Sequence, residues 1–276
     1  MTNYNKIRSL HWTGQKKKLK KDFDINIDFF SAPYTFLKTF LYIELSSLLV
    51  FLIQNTSITP NLITILYALL GIFGGIFLGS GNENLILTGI LIFFFKGVLD
   101  WTDGLIARLR KETSNLGSLL DEWAGLVGSY SFIIGFGFYL FDTTNQLYFI
   151  FISIFIIFIR SLDLKNFFYQ NTTYKLYKLE IKQIQIQKKY LFKSNVKMYG
   201  VSKLIVFFKE LFQNVFDDRS RSIDFICLLI LLDTFFMEIV LLNYIFIFLA
   251  IKYTVLFFGG FYLIYYKKYL NKLQLK

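Results

Sequence analysis

Long apolar runs alternate with short polar links along most of the chain. Runs that approach about 20 apolar residues are long enough to cross a bilayer as helices. The pattern predicts six such spans, at residues 61–79, 85–99, 116–141, 147–162, 222–241 and 244–266. The expected fold class is therefore an all-α polytopic membrane protein with six transmembrane helices.

Two further apolar segments predict helices that lie on the membrane surface. The run 36–53 is interrupted by Lys38 and Glu44. If this run crossed the bilayer, the lysine-rich segment before it would lie outside, against the preference of basic residues for the cytoplasmic side. We therefore predict an interfacial N-terminal helix here. Apolar residues at helical spacing between 201 and 215 predict a second, cytoplasmic surface helix.

The basic residues assign sides to the polar segments. The links 80–84 and 142–146 contain no Lys or Arg, whereas the N-terminus, the segment 164–222 and the C-terminus are basic. The basic segments are therefore expected in the cytoplasm. The predicted organisation is a basic cytoplasmic tail with an interfacial helix at 1–58, followed by a transmembrane domain at 59–276 that contains the long basic segment.

The composition supports a membrane protein over a nucleic-acid-binding one. Hydrophobic residues make up 55% and aromatic residues 20% of the chain, which is too apolar for a typical soluble domain. The net charge of +11 is spread over segments between apolar runs, as in cytoplasmic loops. We expect an integral protein of the bacterial inner membrane with no nucleic-acid partner.

Carboxylates cluster where the second predicted span meets the cytoplasm. Asp100 and Asp103 are three residues apart and share one helix face, and Asp121 brings a third carboxylate from the next helix. Three convergent carboxylates repel one another unless a cation lies between them, and oxygen ligands of this kind suit Mg²⁺ or Mn²⁺. Gly104 and Ala107 would leave a shallow bay beside that metal.

Across this stretch the sequence resembles the CDP-alcohol phosphotransferase (CDP-alcohol phosphatidyltransferase) family. The family signature is Asp-x2-Asp-Gly-x2-Ala-Arg-x8-Gly-x3-Asp-x3-Asp. Seven positions match in spacing, namely Asp100, Asp103, Gly104, Ala107, Arg108, Gly117 and Asp121. Asn61 and Thr64 are similar to the family's entry to its first span. The last signature position differs, because Gly125 stands where the family has aspartate.

The resemblance implies a reaction and a set of site residues. A member of this family would transfer a phosphatidyl or phosphoalcohol group from a CDP-linked donor to an acceptor hydroxyl and release CMP. The three matched aspartates would hold Mg²⁺ or Mn²⁺ on the cytoplasmic side. The donor would contact Gly104, Ala107, Arg108, Gly117, Asn61 and Thr64. A homodimer is compatible with this resemblance.

Gly125 leaves two interpretations of the site open. The missing aspartate is the family's expected general base, so the chain would turn over slowly, use another base, or bind a CDP-lipid or scaffold a partner without catalysis. Alternatively, Gly125 serves helix packing on the stripe that it shares with Gly128.

Four charges within or beside the spans allow further hypotheses. Lys96 lies one turn before Asp100 and would either neutralise the acidic site, contact an anionic acceptor or extend to the membrane surface. Arg160 would contact an acceptor phosphate or flank its span on the cytoplasmic side. Asp233 and Lys252 fall at similar depth in the last two spans, which predicts a structural ion pair; a transport site is the weaker alternative.

Overall fold

A computed structural model describes residues 3–23, 33–162, 220–236 and 241–265. Within these ranges the chain forms eight helices and no strand. The helices are α1 (Tyr4–Phe23), α2 (Pro33–Ile53), α3 (Pro60–Leu78), α4 (Glu83–Arg110), α5 (Asn115–Thr144), α6 (Tyr148–Ser161), α7 (Ser220–Phe236) and α8 (Leu241–Tyr265). The all-α prediction is confirmed, whereas the surface helix predicted at 201–215 lies outside the described residues.

Five of the described helices, α2, α3, α4, α5 and α8, are long and apolar enough to cross a membrane. Helix α6 is apolar but has only 14 residues. Helix α7 has 17 residues and runs from the basic segment into the bundle. The chain is thus an integral membrane protein by its helices, while the count of six spans and the interfacial orientation of α2 stay predictions.

Close approach of α3 to α5 forms the centre of the bundle. On α3, a Cβ at Gly71 would lie 2.9 Å from the Cα of Gly128 on α5, and Gly75 meets the backbone of Ser131. Side chains at these glycines would force the two helices apart. The glycines thus give α3 a flat face, and α5 is the helix that packs on it.

The two ends of the α4–α5 link determine where the acidic residues lie. Lys111 ends α4 in the left-handed conformation with φ 60°. The side chain of Ser114 then accepts a hydrogen bond from the backbone N–H of Gly117 and caps the first turn of α5. This short turn brings the start of α5 back beside the end of α4.

Arg110 binds the α2–α3 link to the end of α4. Its guanidinium donates hydrogen bonds to the backbone carbonyls of Ile58 at 2.6 Å, Ile53 at 2.7 Å, Thr56 at 2.9 Å and Gln54 at 3.2 Å. The last turn of α4 therefore fixes the position at which α3 begins. The predicted boundary between residues 58 and 59 falls within this link and stays a prediction.

Apolar clusters among the described helices stabilise the bundle, and two of them matter for the position of the site. A small cluster joins α1, α2, α3 and α4 near the ends that carry the acidic residues: Ile7, Val50, Ile63, Leu105 and Ile106. A larger one lies among α3 to α8 and includes stacked and edge-on aromatic rings from Phe93, Phe132, Phe136 and Phe246. The first cluster makes the N-terminal helices part of the folded unit.

A buried ion pair joins α2 to α7. Lys38 pairs with Asp224, and the hydroxyl of Tyr42 donates a hydrogen bond to the same carboxylate at 2.9 Å. The sequence pattern does not indicate this pair and predicts one between Asp233 and Lys252 instead. Asp233 accepts a hydrogen bond from Tyr139 at 2.5 Å, and its predicted pairing with Lys252 stays a prediction.

Candidate active site

Helix α4 continues well beyond the predicted span end at residue 99 and carries the first half of the signature. Because the helix reaches Arg110, Asp100 and Asp103 lie on neighbouring turns of one face. Asp103 is 6% exposed and Asp100 is half-buried. Both carboxylates therefore belong to the helical bundle and not to a loop.

Asp103 is held by Thr64 on α3. The Thr64 hydroxyl lies 2.5 Å from Oδ2 of Asp103 and 3.1 Å from the carbonyl of Pro60. A hydroxyl has one proton to donate, and the nearer, charged carboxylate is the stronger acceptor. Thr64, which the resemblance placed among donor contacts, thus orients a carboxylate.

Asp121 on α5 is held in the same way by Tyr67. The phenolic O–H donates to Oδ1 of Asp121 at 2.7 Å and lies 3.1 Å from its backbone carbonyl. The Tyr67 hydroxyl is also within electrostatic reach of Asp100 and Asp103. Tyr67 therefore contacts Asp121 directly and lies close enough to Asp100 and Asp103 to be influenced by their charge.

The carboxylate oxygens of Asp100, Asp103 and Asp121 are ligands that suit a hard divalent cation, although the three side chains do not surround a common point. Among the described residues, no group of three or more His, Cys, Asp or Glu side chains is arranged to hold a metal ion as the side chains lie. Thr64 and Tyr67 each engage one oxygen of a carboxylate, which leaves the other oxygen as a ligand. The chemistry of these three carboxylates fits Mg²⁺ or Mn²⁺.

The small signature residues make room for polar groups beside the carboxylates. The side chain of Arg108 folds back over α4, so that a Cβ at Gly104 would lie 3.2 Å from its Nη1. A Cβ at Gly117 would lie 3.2 Å from Oδ1 of Asn61. The structure thus brings Arg108 next to Gly104 and Asn61 next to Gly117, and Ala107 is half-buried on α4.

Gly125 faces open space. A Cβ added there would meet no described atom within 4 Å, and the residue is exposed. No helix of the described ranges therefore packs against Gly125, and the helix-packing interpretation gains no support from them. Gly128, one turn further along α5, does pack closely, against Gly71 and the side chain of Lys96.

The two basic side chains predicted to contact the acceptor, Lys96 and Arg160, both interact with other residues of the bundle. Lys96 is 6% exposed, and its Nζ lies 5.0 Å from the ring centroid of Tyr67. Arg160 donates from Nη1 to Oγ of Ser129 at 2.6 Å, and its guanidinium lies 4.7 Å from the ring centroid of Tyr253. Their predicted contact with an acceptor stays a prediction.

The N-terminal helix reaches the signature through His11. This buried ring packs edge-on against Trp101 with centroids 5.5 Å apart, and its Nδ1 lies 3.2 Å from Oγ of Ser46. Burial, with a smaller contribution from the charge of Arg108, lowers the pKa of His11 to about 4. The imidazole is therefore neutral at neutral pH and acts as a packing and hydrogen-bonding group.

Sequence analysis missed Tyr67, His11 and the role of Arg110. Tyr67 follows Thr64 by three residues, so the helix period could have placed both on the face of α3 that meets the carboxylates. No local pattern in the sequence indicates the contact of His11 with Trp101 or the carbonyls that Arg110 binds.

The chain is similar to known proteins of one family. A family model described as CDP-alcohol phosphatidyltransferase matches residues 57–256. Proteins of Mycobacterium bovis and Mycobacterium tuberculosis, each named "Putative cardiolipin synthase", are 40% identical to the chain over 72 residues. That match covers 25% of this chain and 33% of each relative, so the chain spans about a third of the length of the curated relatives it matches.

Proposed function

Because the chain belongs to the CDP-alcohol phosphatidyltransferase family, we propose that it transfers a phosphatidyl or phosphoalcohol group from a CDP-linked donor to an acceptor hydroxyl and releases CMP. The observation that supports this proposal is that Thr64 and Tyr67, one turn apart on α3, each hold one of the signature carboxylates. Asp103 is oriented by Thr64 and Asp121 by Tyr67, while Asp100 lies one turn from Asp103.

Asp100, Asp103 and Asp121 would hold the divalent cation. A Mg²⁺ or Mn²⁺ ion bound there would neutralise charge on the donor diphosphate and on the transferred phosphoryl group. The role of the protein is then to hold the carboxylates in place before the donor arrives. Thr64 and Tyr67 do this through hydrogen bonds to charged acceptors, which are stronger than neutral ones.

The donor would lie along α4 beside the carboxylates. The guanidinium of Arg108 matches the geometry of phosphate oxygens, and Gly104 leaves the backbone of α4 open beneath it. Ala107 adds little bulk on the same helix. Asn61 and Gly117 would contact the donor from the starts of α3 and α5, where they lie close together.

The acceptor oxygen attacks the phosphorus, the bond from phosphorus to the CMP oxygen breaks, and the acceptor loses its proton. Gly125 supplies no group to take that proton. Loss of a general base typically costs about 10² to 10⁴ in rate. The proposed enzyme is therefore slow unless the acceptor or solvent supplies the base.

A second candidate function follows from the same residue. With the carboxylates held and position 125 empty, the chain would bind a CDP-linked lipid or scaffold a partner without turnover. The transport hypothesis rests only on Asp233 and Lys252. Tyr139 donates to Asp233, and the ammonium of Lys252 lies over Tyr253, contacts that favour a structural role.

The side of the membrane and the lipid class are part of the proposal. The charge distribution supports a cytoplasmic active site in a bacterial inner membrane. The name of the mycobacterial relatives supports a role in phospholipid synthesis, with CDP-diacylglycerol as the first donor to test. A homodimer is also compatible with the family.

The test is release of CMP from CDP-diacylglycerol by the purified full-length protein, with and without Mg²⁺. Acceptors would be glycerol phosphate, inositol phosphate, serine, choline, diacylglycerol and phosphatidylglycerol. Asp100→Asn should abolish Mg²⁺-dependent release, whereas Glu83→Gln, a matched change at the other end of α4, should not alter it. Donor binding without CMP release for every acceptor would favour the binding function. Release that Asp100→Asn leaves unchanged would contradict the proposed site.

A further inference from the structure

A buried ammonium lies next to the acidic site. Lys96 is one turn before Asp100, yet its side chain does not extend to the membrane surface. A charge buried in a membrane bundle is costly unless opposite charge lies nearby. The position of Lys96 therefore needs an electrostatic explanation.

The backbones of two helices make a slot for this side chain. A Cβ at Gly71 on α3 would lie 3.2 Å from Cε of Lys96, and a Cβ at Gly128 on α5 would lie 2.8 Å from its Nζ. Any larger residue at either glycine would displace the ammonium. The slot leads the side chain away from lipid and into the space between α3, α4 and α5.

The charges around the ammonium are predominantly negative. Its Nζ lies over the ring of Tyr67, whose hydroxyl donates to Asp121 and is within electrostatic reach of Asp100 and Asp103. Asp224 of α7 is also within electrostatic reach of Lys96. Because Asp224 already pairs with Lys38, the carboxylates that begin one helical turn away at Asp100 are the further negative charge that Lys96 can offset.

We infer that Lys96 is the counter-charge of the acidic site, a positioning residue that limits the affinity for the divalent cation and favours the anionic donor. Three carboxylates, the ammonium of Lys96 and the guanidinium of Arg108, which interacts electrostatically with Asp103, leave one negative charge. With a divalent cation bound, the diphosphate enters a site of net positive charge, which without Lys96 would be neutral. This inference rests on the proposed function, because it assigns the same site to a cation and a nucleotide diphosphate.

Neutralising Lys96 should change the two affinities in opposite directions. In Lys96→Met the aliphatic packing in the slot is kept and the charge is lost. A unit charge at this range in a partly buried site is expected to tighten Mn²⁺ binding and weaken CDP-diacylglycerol binding by about three- to tenfold each. A residue that only fills space would leave both affinities unchanged, and a residue needed for folding would weaken both.

The experiment uses the full chain in detergent. Mn²⁺ binding is measured by electron paramagnetic resonance, and binding of CDP-diacylglycerol is measured separately at saturating Mn²⁺. Lys96→Gln is a second neutral variant in case the methionine variant fails to fold. Lys252→Met is the matched control, because Lys252 also lies over a tyrosine ring, at 5.0 Å from the centroid of Tyr253, but away from the carboxylates.

Opposite changes in both Lys96 variants, with no change in Lys252→Met, would support the counter-charge. If the affinities for Mn²⁺ and for CDP-diacylglycerol both stay unchanged, or both change in the same direction, the inference is overturned and the proposed function remains intact. A wild-type protein that binds neither Mn²⁺ nor the donor would overturn the proposed function and the inference together.

Discussion

The hydroxyl of Thr64 lies 2.5 Å from Oδ2 of Asp103 and joins α3 to α4 at the acidic site. Both side chains are buried, so the hydrogen bond does not compete with bulk water. The same hydroxyl would otherwise donate to Pro60 within its own helix. The tertiary contact therefore gives Asp103 one fixed orientation before any cation binds.

Replacing Thr64 should weaken cation binding without unfolding the bundle. Thr64→Val keeps the shape and removes the donor, and a hydrogen bond to a charged group contributes about 1.5–3 kcal/mol. We expect Mn²⁺ affinity to fall about tenfold or more, measured by electron paramagnetic resonance. Thr64→Ser retains the hydroxyl and should stay near wild type. Equal losses in the valine and serine variants would show that packing, and not the hydrogen bond, matters.

Docking of α1 should loosen on acidification because of His11. Its folded-state pKa of about 4 is below the ordinary value near 6.5, so the unfolded state binds a proton first as the pH falls. The stabilisation is complete above about pH 6.5 and is lost between that value and about pH 4, about 2 kcal/mol of it by pH 5.

The hydrogen bonds of His11 explain why a second proton is unfavourable. The Ser46 hydroxyl donates to the carbonyl of Tyr42, which leaves its oxygen as an acceptor for Nδ1–H. Nε2 then faces the side-chain amide of Gln15 at 3.4 Å. Thermal unfolding of wild type and His11→Gln at pH 7 and pH 5 checks this. The loss of stability at pH 5 should be smaller in the variant, and equal losses would contradict the assignment.

Replacing only one residue of the Lys38–Asp224 pair should lower the free energy of unfolding more than replacing both residues. Both side chains are buried, and removal of one partner leaves a buried charge at a cost of about 3–5 kcal/mol. Lys38→Met and Asp224→Leu should each lower the midpoint of thermal unfolding, whereas the double variant should recover most of the loss.

The pair of Arg8 with Glu44 is the matched control for that cycle. Its side chains are 39% and 25% exposed, and exposed pairs contribute about 0–1 kcal/mol. Arg8→Met should therefore change the unfolding midpoint little. Additive losses in the Lys38 and Asp224 double variant would mean that the two residues do not stabilise the fold as a pair.

The signature could be placed from sequence because its geometry is local. Asp100, Asp103 and Arg108 lie on one continuous helix, where spacing alone determines the face. In the structure Pro60 begins α3 and Ser114 caps α5, which are further local features. Local periodicity thus predicted the helical elements, whereas the roles of the matched residues came from the family resemblance and stay predictions.

Contacts between distant helices could not be predicted in this way. Tyr67 meets Asp121 across 54 residues, and Tyr42 meets Asp224 across 182. Hydrophobic periodicity identifies an inward face but not the helix that it meets. For this reason sequence analysis paired Asp233 with Lys252 by depth and missed the partner of Lys38.

The two short links on either end of α4 should lie on opposite sides of the membrane. Ser80 and Thr113 are exposed residues in these links. From the distribution of basic residues we expect Thr113 and the N-terminus on the cytoplasmic side. In a Cys227→Ala background, an impermeant thiol reagent applied to intact cells should label Ser80→Cys but not Thr113→Cys or Asn5→Cys. Labelling of Thr113→Cys from outside would reverse the proposed side of the active site.

A carboxylate at position 125 should increase turnover. Position 125 lies one turn beyond Asp121 on the same face of α5, and a Cβ there would meet no described atom within 4 Å. Gly125→Asp should therefore fit without displacing its neighbours and bring a base to the acceptor hydroxyl. We expect CMP release to rise by about 10² or more, as for restoration of a general base, with donor binding nearly unchanged.

Gly125→Asn is the matched control, because it has the same shape without the basic carboxylate. If aspartate raises CMP release and asparagine does not, the added group acts as a base and not by rigidifying α5. Robust wild-type turnover that Gly125→Asp leaves unaffected would mean that another base already serves the site. A folded Gly125→Asp protein that binds the donor yet releases no CMP with any acceptor would instead favour the binding or scaffolding function, because the missing carboxylate would then not be what prevents catalysis.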